Sequence, residues 1–250
     1  MIGTQKKACA FLQVTAIILT TTLILATPAM AKKKDPPPQT TTDGLTLAKS
    51  TKHRLVYLAD DVDFGIYNKV MIVECAVAFA KNWQRDYNRQ ERDLSRKVSD
   101  KDVERIKDKL SAEFKKVFTE TMTDNGIEVV TEAGPDVIIL RPAIFNLVVT
   151  APNISSPGRT RTYTADPGQM TLYLELYDSV SSAILAKAMD AQDAGRAAPT
   201  MSYSTGVNNI AAADRVLKRW ANEIAGHFGA TTNPNYVDAP KADDKTDAEE

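Results

Sequence analysis

Cysteine is almost missing from this chain. Only Cys9 and Cys75 occur among its 250 residues, so packing rather than a disulfide framework must hold the fold together. Histidine is equally scarce: His53 and His227 leave little for acid–base work near neutral pH and too few ligands for a histidine-based zinc centre. No serine stands in a Gly-x-Ser-x-Gly elbow, none precedes a lysine by three positions, and no glycine-rich cradle links a strand to a helix. The usual parts of hydrolases and nucleotide-binding enzymes are therefore absent. Charge of one sign is lacking too, because 31 basic residues stand against 32 acidic ones, with no basic excess to attract nucleic acid. No cofactor and no metal centre is indicated.

What is present begins with an address. Lys6 and Lys7 precede an apolar stretch from Ala8 to Leu25, followed by Pro28 and Ala29-Met30-Ala31, the order of a secretory signal peptide covering residues 1–31. The small side chains of Ala29 and Ala31 suit a signal peptidase, and Pro28 stops the apolar helix just ahead of the cut. The alternative is an uncleaved anchor, since the apolar run is about long enough to span a bilayer. A lipoprotein needs its acylated cysteine directly behind that run, whereas Cys9 stands at its start. Cleavage leaves Cys75 alone and a charge of about −3, because Lys6 and Lys7 are lost and 29 basic residues remain against 32 acidic ones. The mature protein is then periplasmic or secreted, with no stable membrane insertion.

Residues 32–44, with Pro36-Pro37-Pro38 and a threonine run, read as a linker, and residues 230–250 as an acidic tail. Between them, 45–229 is long enough for one hydrophobic core. A first helix starts at the N-cap Ser99, with Asp102 three residues on, and carries the stripe Val103, Ile106, Leu110, Phe114, Val117, Phe118 and Met122 until Asn125-Gly126. A second runs from about Asn209 to Phe228, its stripe formed by Ile210, Ala213, Leu217, Trp220, Ile224 and Phe228. Strands are expected at Val70–Phe79, with Met71, Val73, Cys75, Val77 and Phe79 on one face, at Ile127–Thr131, and at Val137–Val149, bent or edged by Pro142. Two more follow at Gly168–Tyr177, where Met170, Leu172, Leu174 and Leu176 alternate with a wetter set, and at Ile184–Gln192, after a turn at Asp178–Ser182. This order predicts an α+β two-layer sandwich: about five mostly antiparallel strands with two main helices on one face.

Asp63-Phe64 and Tyr67-Asn68-Lys69-Val70-Met71-Ile72, then Gly134-Pro135-Asp136, Glu175-Leu176-Tyr177-Asp178-Ser179 and Asp190 together resemble the bacterial domain-of-unknown-function family 3313, over about Tyr57 to Gly195. The resemblance implies a secreted or lipid-anchored envelope protein without an assigned activity; this chain departs from the lipid-anchored members by lacking a suitably placed cysteine. By fold analogy, the element order is also similar to small domains of periplasmic assembly and cell-wall accessory factors, which bind partners rather than catalyse.

Candidate chemistry is sparse. His227 lies at a helix C-terminus, where a polar or positive group is expected anyway, and Cys75 reads as a packed core residue. Asp60, Asp61 and Asp63 suggest a calcium loop with Gly65 in place, but Val62, Phe64 and Met71 occupy its ligand positions, so a surface turn is expected. The polar loop from Thr150 to Pro167 carries Arg159, Arg161 and Tyr163. Spaced by two, they can present guanidinium groups and a ring on one side of an extended segment, suited to carboxylates or phosphates of an envelope protein or polymer; the plain alternative is a solvated hairpin extension. The function expected is a non-enzymatic periplasmic binding or accessory module. The alternatives are a hydrolase built from carboxylates that meet only on folding, and a carrier of a small apolar ligand. Protein recovered from the envelope fraction is expected to begin at Lys32 by N-terminal sequencing and intact mass; full-length chain dissolved in cytosol would overturn the export assignment.

Overall fold

The computed structural model describes residues 36–150, 152, 162–164, 168–193, 202–204 and 206–229. In chain order they form β1 (Thr46–Ser50), β2 (Arg54–Leu58), β3 (Lys69–Ile72), β4 (Ala76–Phe79), α1 (Trp83–Gln90), α2 (Asp100–Asp124), β5 (Glu128–Val129), β6 (Val137–Val149), β7 (Thr162–Thr164), β8 (Gly168–Asp178), β9 (Ile184–Asp193), β10 (Ser202–Ser204) and α3 (Gly206–Gly229). The expected signal peptide, residues 32–35 of the expected linker and the expected acidic tail lie outside the described residues, whereas residues 36–44 of that linker are described.

Eight strands make one sheet in the order β1-β2-β9-β8-β6-β3-β5, with β4 also on β6, and β7 pairs with β10 separately. The α+β class stands, but the sheet is larger than five strands and mixed rather than mostly antiparallel. The parallel part is β3, β4, β5 and β6. Its cause is α2: a helix between β4 and β5 carries the chain back across the sheet, so the next strands run in the same direction as those before it.

The long helix follows from its sequence. Ser99 accepts a hydrogen bond from the amide of Asp102 while the Asp102 carboxylate accepts from the amide of Ser99, closing a capping box. Gly126 ends the helix with φ +79°. Phe114, Val117, Phe118 and Met122 are fully buried, each contributing roughly 1.5–3 kcal/mol. Phe114 and Phe118, one turn apart, stack at 3.9 Å. They meet Leu217, Trp220 and Ala221 of α3 and the side chains of Ile138, Leu140, Ile144, Met170, Leu172 and Leu174 on one sheet face.

Val70–Phe79 is two strands, not one. β3 pairs with Val137–Leu140 and β4 with Ala143–Leu147. The Val73 amide donates to the Leu140 carbonyl, so the alternate residue Pro142 faces the same neighbour without an N–H to offer. The partner strand is interrupted at 73–75, opposite that gap. The interruption also shifts the alternation: Val70 and Cys75 are buried, whereas Val73 is 40% exposed. Pro142 itself is buried within an interior strand, beside Leu174 of β8, rather than at an edge.

Near its far end β6 bulges between Phe145 and Val148, with Asn146 at φ +51°. Gly168, opposite Val149, has φ +126°, and a Cβ there would stand 1.9 Å from the Val148 carbonyl oxygen. Gly168→Ala is expected to destabilise by about 3 kcal/mol or more, against about 1 kcal/mol for Gly126→Ala, whose Cβ meets nothing within 4 Å. Urea midpoints of the two variants measure the difference.

Candidate functional site

Period-two alternation in β8 sends Leu172, Leu174 and Leu176 toward the helices and Thr171, Tyr173, Glu175 and Tyr177 to the opposite, helix-free face. The strand registers place Glu175 beside Arg141 of β6 and Lys187 of β9, and Lys187 beside Tyr57 of β2. A polar stripe therefore crosses the sheet. On one side of it lie Tyr173, Met189 and Leu55, on the other Met71, Ile139, Tyr177 and Ile184.

Glu175 is the hub. Its Oε1 accepts from the Tyr173 hydroxyl at 2.7 Å and its Oε2 from the Tyr177 hydroxyl at 2.8 Å. Lys187 Nζ and an Arg141 guanidinium nitrogen stand 3.7 and 3.6 Å away. Burial pushes the Glu175 carboxyl up, but the two hydroxyl donors and the two cations more than offset it and hold it below 4.5. Burial and the bond to Glu175 raise both tyrosine hydroxyls. Lys187 is raised by its hydrogen bond to Asp43. Asp43 belongs to a tight loop that also brings the Pro38 carbonyl to the Tyr57 hydroxyl at 3.1 Å and buries Leu45. Glu175 and Lys187 are thus largely covered, while Arg141 is 65% and Asp43 42% exposed.

A second polar cluster sits on the helix side. Asp190 Oδ2 accepts from Arg54 and Gln192 at 2.8 Å and from the Trp220 indole at 2.7 Å. Arg54 also pairs with Glu223 of α3. Asp190 is only 6% exposed, and its Oδ1 has no hydrogen-bond partner among the described residues. The cluster ties α3 to β2 and β9.

Arg159 and Arg161 lie outside the described residues, as does the side chain of Tyr163; the backbone of Tyr163 is in β7, opposite Tyr203 of β10. His53 and His227 are both exposed. Cys75 is 4% exposed, and burial pushes its thiol up to about 12. Asp63 caps a tight turn by accepting from the Gly65 amide at 2.8 Å, and Asp61 has φ +56°, so the aspartate trio is a turn. Among the described residues no three His, Cys, Asp or Glu side chains group closely enough to hold a metal ion.

The residues that carry the family resemblance converge as fastenings. Tyr67 donates to Asp178 at 3.0 Å, Lys69 pairs with Asp136 at 3.0 Å, and the Ser179 hydroxyl bonds both the amide and the carbonyl of Gly134. Glu175 and Tyr177 belong to that motif too, yet they face the other way. The alternating Thr-Tyr-Glu-Tyr set of β8 announces a wetter face; Arg141, Lys187 and Asp43 come to it only through register.

A family model described as "Protein of unknown function (DUF3313)" matches residues 40–224. No curated protein matches the chain. Among solved structures, the chain is similar to the PelC dodecamer from Paraburkholderia phytofirmans, with 12% identity over 66% of this chain and 93% of that one and a TM-score of 0.32. A minor lipoprotein from Acinetobacter baumannii shares 12% identity over 68% and 98%, with a TM-score of 0.27. A protein from Xanthomonas campestris assigned to DUF330 shares 12% over 66% and 86%, with a TM-score of 0.32. Likenesses this loose carry no argument about activity or partner.

A carboxyl held below 4.5 adds stability that is present above that pH and is lost as pH falls through its lowered value. The stability difference between wild type and Glu175→Gln is therefore expected to stay constant from about pH 8 to about pH 5 and to shrink progressively as pH falls below 4.5. Denaturant melts across that range test it; a gap of equal size at both ends would overturn the ionised hub.

Proposed function

The chain belongs to the DUF3313 family of proteins of unknown function, and on that footing we propose that it is an exported envelope protein that binds rather than catalyses, with the helix-free sheet face as its binding surface. The observation that carries this reading is the Tyr173–Glu175–Tyr177 hydrogen-bonded set, with exposed Arg141 beside it. Tyrosine and arginine supply most of the energy at binding hot spots, and rings already fixed by hydrogen bonds lose little freedom on association. Export rests on the ordered signal from Lys6 to Ala31. Among the described residues no helix is long and apolar enough to cross a membrane.

Two observations weigh against the rival readings. A carboxylate hydrolase needs one acid held protonated by a raised pKa, yet Glu175, the carboxyl at the centre of the polar stripe, is held below its ordinary value by two hydroxyl donors and two cations. An apolar carrier needs space between sheet and helices, where Phe114, Phe118, Leu140, Leu217 and Trp220 pack at 0–2% exposure. A second binding reading keeps Arg159, Arg161 and Tyr163 as the capture loop; the observation that favours it is the antiparallel pairing of β7, which holds the Tyr163 backbone opposite Tyr203.

Photo-crosslinking residues placed at positions 173 and 163 in living cells separate these readings. Envelope adducts are expected from position 173, and Arg141→Ala should lower their yield about tenfold with little change in melting temperature, because that side chain is largely exposed. Adducts from position 163 alone, lost on replacing Arg159 and Arg161 by alanine, would move the surface to the loop. Absence of adducts from both positions would end the binding reading.

A further inference from the structure

We propose that the occupant of the helix-free face is a second copy of this chain, stacked sheet to sheet about a two-fold axis that runs along the strands. The inference rests on the binding reading above and goes further by naming the partner. Its first support is the order of charge across the stripe: Arg141, Glu175, Lys187 and then Asp43, which pairs with Lys187. Glu175 and Lys187 are mostly covered, so the exposed charges are a cation at one end, Arg141, and an anion at the other, Asp43. A two-fold axis along the strands reverses that order between facing sheets. Arg141 of one copy then meets Asp43 of the other, twice, in two symmetric ion pairs.

The flanking rows support the same geometry. An axis parallel to the strands keeps each row at its own height while reversing it, so the row of Tyr173, Met189 and Leu55 faces the same row of the other copy in the opposite order, as does the row of Met71, Ile139 and Tyr177. Self-complementarity of this kind defines an isologous interface. The stripe holds two positive and two negative side chains, which offers no net attraction to a strongly charged polymer but no repulsion to an identical face.

Size is sufficient. β2, β9, β8, β6 and β3 hold 5, 10, 11, 13 and 4 residues, which at about 3.3 Å per residue and about 4.8 Å between strands present roughly 700 Å², a little below the ~800 Å² that each partner buries in a standard complex. Twisted sheets stack with their strands within about 30° of each other, so the facing rows stay in reach near the axis. Edge-to-edge pairing through β1 is the less suitable route: that strand is short, bulged between Leu47 and Lys49, and carries the lysine.

Light scattering and sedimentation of the processed protein, together with Arg141→Asp, Asp43→Arg and the double variant, test the proposal. Wild type is expected to be a dimer, each single reversal to weaken it at least tenfold by placing like charges together, and the double reversal to restore it; melting temperatures of the monomers, recorded alongside, separate lost dimerisation from loss of the intrachain Arg141–Glu175 and Asp43–Lys187 pairs. A monomer at every concentration, a dimer indifferent to the reversals, or a double variant that fails to recover would each overturn it. The crosslinker at position 173 separates this outcome from the parent reading. Adducts of twice the chain mass support the second copy, adducts of another mass end this proposal while leaving a binding face, and no adducts end both.

Discussion

The register in which β8 lies between β6 and β9 is the constraint from which both faces of this molecule follow. Leu172, Leu174 and Leu176 enter the helix side only because Ile144, Pro142 and Leu140 stand opposite them on β6 and Asp190, Ala188 and Ala186 on β9. The same register brings Arg141, Glu175 and Lys187 into one line on the other side. A slip by one residue would push leucines into water and Glu175 into the core, and the cost of both errors holds the strands in place.

Two polar clusters mark that register from opposite sides. Asp190 is buried against α3 and draws three donors to one oxygen, from β2, β9 and the helix. A buried carboxylate adds little net stability, but it is expensive in any arrangement that strips away its partners. Glu175 does similar work with weaker burial, since its two tyrosines and two cations assemble only when β6, β8 and β9 are aligned. The helix-side cluster fastens an element of the fold. The other lies where nothing in the described chain covers Arg141, and its fixed rings and charges make a surface prepared for contact.

Much of this was legible before folding. Ser99, Asp102 and the stripe down to Met122 announced α2, and the alternation from Met170 to Leu176 announced β8 with its inward face. The break at 73–75 was not, because alternation read along one segment assumes an unbroken neighbour, and Pro142 lies some seventy residues away in sequence. The parallel pairings were missed for a related reason: a count of strands and helices does not say which strand the chain returns beside. Short elements such as β1 and β2 carry too few residues for periodicity to register.

The candidate face divides along the same line. By itself the amino-acid order determined the two long helices and the inward and outward sides of the longest strands, because each depends on neighbours within a few positions. Only the tertiary structure decided that Asp43, Arg141, Glu175 and Lys187 form one stripe. Those residues are separated by up to 144 positions, and a contact across such a span is set by strand pairing and register, which are properties of the whole sheet and of no local pattern.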